Sequence, residues 1–199
     1  MPSKIIIVRH GETDYNKSRR IQGWLDIPLN DLGHSQAKTA ADLLKNHHVD
    51  AIYSSDLTRA HETAKHLAEA LDMEIKLSPA LRERDMGVFT GWAFESEPDP
   101  IKEQLWIEFE QARDSHQLEW NKHQGESIGD MADRIAKFFD DLQHHHQEQT
   151  VLVVTHGGAI NRILEHFGLK DTGEGFRPVK NASILILHKE TTTYRLEEL

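Results

Sequence analysis

No cysteine occurs in the 199 residues, which excludes disulfide frameworks and thiolate metal sites and fits a reducing compartment. Long apolar runs are missing too. The first, Ile5 to Val8, is four residues long, too short for the core of a signal peptide, and no segment approaches the length that spans a bilayer. Positive charge is in deficit: 23 Lys and Arg face 33 Asp and Glu, a formal net charge of −10. That balance argues against nucleic acid or an anionic membrane surface as the main partner. The expectation is a soluble, cytoplasmic protein. An acidic chain still binds an anionic substrate if its few cations converge in one pocket. The length suits one domain, residues 1–199, with a sizeable core.

What is present is an alternation of strand and helix signals. In "KIIIVRHGETDYN" (4–16) a β-branched run reads as a strand covered on both faces. A helix follows, with Asn30 as its N-cap and Ala37, Ala40, Ala41 and Leu44 on one face. "VDAIYSS" (49–55) is a short strand, and Leu57, Ala60, Ala64, Leu67 and Leu71 trace the next helix. "MEIKL" (73–77) reads as a third strand. The stretch from Ser78 to Gly125 is the least regular, with one helix near 101–117. Ile128, Met131, Ile135, Phe138 and Leu142 trace a further helix face. "TVLVVTHGG" (150–158) is a second buried strand with a helix from about Ala159. "ASILILH" and "TYRLEEL" close the chain as a hairpin. Such alternation predicts an α/β sandwich with a mostly parallel sheet.

The buried strands end in one kind of chemistry. The first runs into Arg9 and His10, the second leads through "SSDLTRA" to Arg59, and the fourth breaks at His156, Gly157 and Gly158. In open α/β sheets ligands bind at the carboxyl ends of strands. If these strands are parallel neighbours, the four side chains share one rim. Arginine forks suit phosphate oxygens, and the free N–H groups of a helix start suit an anion. A neutral imidazole can attack phosphorus and hold the phosphoryl group. Arg9 capping a strand and His10 filling a turn fit the first stretch as well. "LRERDMG" (81–87) offers Glu83, a carboxyl that could protonate a leaving oxygen and then take a proton from water. For a lone "RER" a surface salt bridge is the ordinary reading.

Taken in order, "VRHGETDYN", "SSDLTRAHETA", "LRERDMG" and "VVTHGG" resemble the successive motifs of the histidine phosphatase superfamily, in its phosphoglycerate-mutase-like branch. The resemblance implies a three-layer α/β/α sandwich with a C-terminal hairpin. It implies His10 as the phosphorylated nucleophile, and Arg9, Arg59, His156 and Asn16 as phosphoryl contacts. Glu83 would be the proton donor. "RIQGW" (20–24) resembles a substrate-binding turn, so Gln22 and Gly23 would touch substrate, as would Gly157. No metal and no cofactor are implied. The partner would be a small phosphorylated metabolite, and the assembly a monomer or homodimer. Family members often carry Glu-Gly where this chain has Thr90-Gly91, a departure that bears on how the neighbouring loop is held.

The histidine run 144–146 makes a poor tetrahedral metal site, since consecutive helical residues point apart; a solvated helix end is expected there. Flanking arginines argue against a cation at His10 and His156. The function implied is hydrolysis of small phosphomonoesters. The alternatives are a cofactor-dependent phosphoglycerate mutase and a non-catalytic phosphate-binding module. A mutase needs a clamp for a second anionic end. The lid-like segment at about 90–126 holds nine carboxylates after Gly91 against Lys102, Arg113 and Lys122, which favours the phosphatase. Its aromatic residues, Trp92, Phe94, Trp106, Phe109 and Trp120, are expected to pack it onto the sheet.

Overall fold

The computed structural model describes residues 1–93, 95–115, 117–170 and 176–199, with the backbone alone at Asp114. Its strands are β1 (Lys4–Arg9), β2 (Ala51–Ser54), β3 (Ile75–Leu77), β4 (Thr150–Thr155), β5 (Ile184–Lys189) and β6 (Tyr194–Glu198). They form one sheet in the order β3-β2-β4-β1-β5-β6. The first four strands in that order pair parallel, and the closing hairpin adds two antiparallel pairings. The helices are α1 (Asp14–Lys17), α2 (Asp31–Leu44), α3 (Thr58–Leu71), α4 (Pro100–Asp114), α5 (Ile128–His145) and α6 (Gly157–His166). None of them is long and apolar enough to cross a membrane.

The apolar runs are unbroken because both sheet faces are covered. Successive side chains on a strand point to opposite faces. Ile5 and Ile7 therefore pack with Ile135, Phe139, Ile160 and Ile163 of α5 and α6. Ile6 and Val8 pack with Ala40, Leu44, Ala64 and Leu67 of α2 and α3. The four strand residues are fully buried, each contributing about 1.5–3 kcal/mol on transfer from water. Three layers result, as the sequence predicts.

Register decides what reaches the rim. Arg9 lies opposite Thr155, and Ser54 opposite Val154. His10 and His156, each one residue further along, leave the sheet at one level, with Ser55 one residue before them, opposite Thr155. The helix starts are fixed by polar side chains. Asn30 accepts from the Gly33 N–H at 2.8 Å, as an N-cap should. Helix α3 has no such cap of its own; Asp26 supplies one from a distant loop, accepting from the Thr58 N–H at 2.7 Å and its hydroxyl at 2.9 Å. That clamp ties residues 20–26 to the helix that carries Arg59.

Three expectations change. On α5 the fully buried phenylalanine is Phe139, while Phe138 is half-buried at the margin against Tyr53. The apolar face is wide enough to take both, with Phe139 fully inside it and Phe138 packed against the same core from its margin. His144 and His145 are exposed, but His146 turns inward, between the Tyr53 hydroxyl at 2.9 Å and Gln149 Oε1 at 2.7 Å. It is a satisfied core histidine. The aromatic residues of the 90–126 segment pack mainly on one another: Phe89, Trp92 and Phe109 form a core separate from both sheet faces, with Trp106 and Trp120 at its edge. Phe94 lies outside the described residues.

Candidate active site

The parallel order of β1, β4 and β2 brings Arg9, His10, Arg59 and His156 together. His10 is 3% exposed, and its ring centroid lies 5.1 Å from that of His156. The Nδ1 of His10 sits 2.7 Å from the carbonyl of Gly11, so Nδ1 carries the proton and donates, leaving the Nε2 lone pair free. Burial, helped by the Arg59 and Arg9 guanidinia, pushes this imidazole well below the usual histidine range, against the pull of the Gly11 carbonyl. It is neutral at pH 7. His156, 0% exposed, is likewise pushed well down by burial and by Arg59, His10 and Arg9. The Ser55 hydroxyl lies 2.9 Å from its Nε2; with the hydroxyl donating there, Nδ1 carries the proton and is left as a donor.

The arginines are anchored from one side only. Arg59 donates to the carbonyls of Leu25 and Gly23, each at 2.8 Å, and Arg9 donates to the carbonyl of Val179. Burial pulls Arg59 down to about 10, still a cation at neutral pH. Arg9 Nε, Arg59 Nε and His156 Nδ1 are buried and have no hydrogen-bond partner among the described residues. Buried donors are rarely left so, and three beside one imidazole make a cradle for a compact oxyanion.

Around the cradle, Asn16, Gln22, Gly23, Glu83 and Gly157 line one cavity of about 790 Å³ with His10, Arg9 and Arg59. His156, fully buried, adjoins the cavity through the ring of His10. Thr13 caps α1, its hydroxyl accepting from the Asn16 N–H at 3.1 Å while Asn16 Oδ1 accepts from the Thr13 N–H at 3.2 Å; the same hydroxyl lies 3.0 Å from Gln22 Oε1. Gly23 has φ of +50°, a left-handed turn that suits glycine and that aims its carbonyl at Arg59. Glu83 Oε2 accepts from the Gly158 N–H at 2.9 Å, and Oε1 from the Arg84 N–H at 2.9 Å. The carboxylate thus sits on the N-terminus of α6, where backbone donors and the helix dipole favour a negative group.

Several residues here carried no local signal. Asn181, from the loop before β5, donates toward the carbonyls of His10 and Gly11 and lies 3.3 Å from Asn16 Oδ1. Thr63 accepts from the Gly11 N–H at 3.0 Å. Ser55 stands inside the quoted "SSDLTRA", and Gly158 inside "VVTHGG". The cavity also receives Arg84, Arg113 and Arg162, one each from the loop after β3, from α4 and from α6. Among the described residues its single carboxylate is Glu83. Acids of the 90–126 segment pair with cations instead, Glu95 with Arg19, Glu97 with Arg20, Glu108 with Lys122 and Glu126 with Arg134, and Glu110 lies 3.7 Å from Arg113; of these cations Arg20 and Arg113 line the cavity. Among the described residues no group of three or more His, Asp or Glu could hold a metal ion.

A three-layer sandwich whose sheet rim pairs two neutral imidazoles with two anchored arginines has the donors and charge that suit a tetrahedral oxyanion. The chain belongs to the histidine phosphatase superfamily, branch 1, whose family model matches residues 5–199. It is 36% identical over 155 residues to phosphoserine phosphatase 1 of Hydrogenobacter thermophilus, covering 77% of this chain and 70% of that one. It is also 36% identical over 165 residues to phosphoglycerate mutase-like protein 4 of Arabidopsis thaliana, covering 82% and 70%. Among solved structures, mycobacterial glucosyl-3-phosphoglycerate phosphatase in complex with VO3 superposes with a TM-score of 0.81 at 30% identity, covering 98% of both chains.

Proposed function

We propose that this protein is a cytoplasmic phosphatase that hydrolyses small phosphomonoesters through a phosphohistidine on His10. The observation that carries the reading is the trio of buried donors without partners, Arg9 Nε, Arg59 Nε and His156 Nδ1, beside an imidazole whose Nε2 is free. The phosphoryl oxygens dock on those donors, with Asn16 as a further contact and Gln22, Gly23 and Gly157 lining the approach. Nε2 attacks phosphorus as the ester bond breaks, and Glu83 gives the leaving oxygen a proton. Gly11, accepting from Nδ1–H, steadies the charge that grows on the ring. Glu83 then takes a proton from water as it attacks the phosphohistidine, which releases phosphate and restores Nε2. Positioned donors that meet the equatorial oxygens stabilise the charge of both transition states. In this reading the 90–126 segment is a lid, closing the cavity with Trp106, Phe109, Arg113 and Leu118.

Phosphate trapped from a labelled substrate tests the nucleophile, and leaving groups test the acid. Label should appear on His10 and be lost in His10→Ala. Label on another residue, or turnover near the parent rate in that variant, refutes the assignment. Glutamine in place of Glu83 can still accept from the Gly158 N–H, so Glu83→Gln isolates the proton. It should impair alkyl phosphates far more than p-nitrophenyl phosphate, whose phenolate leaves with little help, and phosphoenzyme should accumulate after a burst. Equal losses on both esters, without a burst, place the proton donor elsewhere. The relative named as mutase-like keeps a second reading in view, and transfer of the label to phosphoglycerate rather than water would favour it.

A further inference from the structure

Glu83 is held through its own peptide. Its carboxylate oxygens accept from two N–H groups, that of Gly158 at 2.9 Å and that of Arg84 at 2.9 Å. The Arg84 N–H belongs to the same planar unit as the Glu83 carbonyl, so the direction of one fixes the direction of the other. That carbonyl receives donors from two parts of the chain. Trp24 Nε1 donates to it at 2.6 Å from the 20–26 turn, and Arg134 Nη2 at 3.0 Å from α5. Two donors fill both lone pairs of a carbonyl oxygen. The peptide plane is thus fixed at its oxygen and aimed at the carboxylate by its N–H. Donors on the oxygen also polarise the unit and strengthen that N–H as a donor.

The two anchors differ. Arg134 belongs to the frame: it donates to the Ala80 carbonyl at 2.7 Å and forks onto Glu126 at 2.5 and 2.8 Å. Trp24 is 40% exposed, so burial alone does not explain a residue of its size there. Its ring is nonetheless fixed. The Arg82 guanidinium lies 5.0 Å from its centroid and is itself forked onto Asp56, just ahead of α3. Beside Trp24, the Gly23 carbonyl accepts from Arg59, and a Cβ on Gly23 would lie 3.0 Å from the Met86 nitrogen. One turn therefore touches a phosphoryl-binding arginine on one side and the loop of the acid on the other. We propose that Trp24 is a positioning residue for the reaction. Its indole N–H, through the Glu83–Arg84 peptide, aims the Glu83 carboxyl at the leaving oxygen and ties that aim to the turn that anchors Arg59. The inference rests on the phosphatase reading and deepens it. Trp24 does not line the cavity, so it acts through Glu83 and not on the substrate.

The test removes the N–H and keeps a ring. Trp24→Phe should lower kcat/KM on benzyl phosphate by about three- to tenfold, the factor that an ordinary hydrogen bond is worth. On p-nitrophenyl phosphate, whose leaving group needs little protonation, the loss should stay below about twofold. In a Glu83→Gln background the same substitution should cost less than about twofold on either ester, because the proton it aims is already gone. A merely structural role would give equal losses on both esters, and the same losses again in that background. Either result overturns the proposal, as does a folded Trp24→Phe with the parent's activity on benzyl phosphate. The Arg84 amide proton, read by NMR, should move upfield in Trp24→Phe as its donation weakens; an unmoved resonance refutes the route through the peptide. If Trp24→Phe folds poorly, replacing Trp24 by benzothienylalanine, which keeps the bicyclic ring with sulfur in place of N–H, decides by the same measures. Glu83→Gln with the parent's rate on benzyl phosphate would refute the proton-donor reading and this inference with it. Selective loss in Glu83→Gln but none in Trp24→Phe refutes this inference alone.

Discussion

Gly158 is where a single methyl group should separate catalysis from folding. A Cβ built there would overlap Glu83 Oε1 and lie 3.0 Å from its Cδ and 3.2 Å from Oε2. All the colliding atoms belong to the end of one flexible side chain, so the fold is not forced to move. Glu83 is. In Gly158→Ala its carboxyl must retreat by about an ångström and give up the Gly158 N–H, a displacement of the size that costs about a hundredfold in rate. That loss corresponds to about 2.7 kcal/mol of transition-state stabilisation. Stability should scarcely change: alanine inside a helix is favoured over glycine by up to about 1 kcal/mol, against about 1 kcal/mol for the lost cap. For a chain of this size a net change under 1 kcal/mol moves Tm by no more than about 4 °C. The assay is kcat/KM on benzyl phosphate and on p-nitrophenyl phosphate, with a melting curve beside each. A folded variant that hydrolyses benzyl phosphate at the parent rate would sink the reasoning. So would equal losses on the two esters, since a displaced proton donor must hurt the poorer leaving group more.

The remaining predictions concern charge. Arg59→Ala should lower kcat/KM by about 10²–10³, as for other donors to a reacting oxyanion. It should also destabilise, because the carbonyls of Gly23 and Leu25 lose their donor, at about 1–3 kcal/mol each if no water replaces it; unchanged activity would place Arg59 outside the reaction. His10 and His156 are held neutral by burial, so below about pH 6.5 the unfolded chain binds protons that the folded one refuses. Stability should therefore fall with acidification from about pH 6.5 downward, by up to about 1.4 kcal/mol per pH unit for each imidazole, and His10→Asn should remove one share of that slope. A flat Tm across that window, or an unaltered slope in the variant, contradicts the neutral pair. Vanadate, which adopts the five-coordinate geometry of phosphorus in transfer, should inhibit strongly, and EDTA should leave activity intact. Loss on chelation, restored by a divalent ion, would overturn a mechanism that rests on arginines.

The sequence alone determined the strands, the helix faces and the rim chemistry, because each is a local property. Ile5 to Val8 and Val151 to Val154 are continuously apolar since both sheet faces are covered, and that run is visible without knowing what covers it. Arg9, His10 and His156 were legible because they follow those runs directly, and Arg59 because it opens the helix after β2. Glu83 was weaker: an "RER" triplet does not say that its carboxylate will reach the N-terminus of α6, 75 residues on. Tertiary structure alone decided the rest. Ser55 meets His156 across 101 positions, and Asn181 reaches back 171 positions to the carbonyl of His10. Neither residue type stands out along the chain, since hydroxyls and amides are common and their partners are set by sheet register. The same holds for His146, a solvated helix end by its neighbours and a buried hydrogen-bonding residue by its contacts. The largest gap was the arginines beyond the rim, Arg84, Arg113 and Arg162, that line the same cavity. Counting charges along residues 90–126 weighs every side chain alike, whereas the cavity receives only those that the fold turns inward. Arg84 and Arg162 belong to different motifs and meet only once α6 packs under the loop that follows β3.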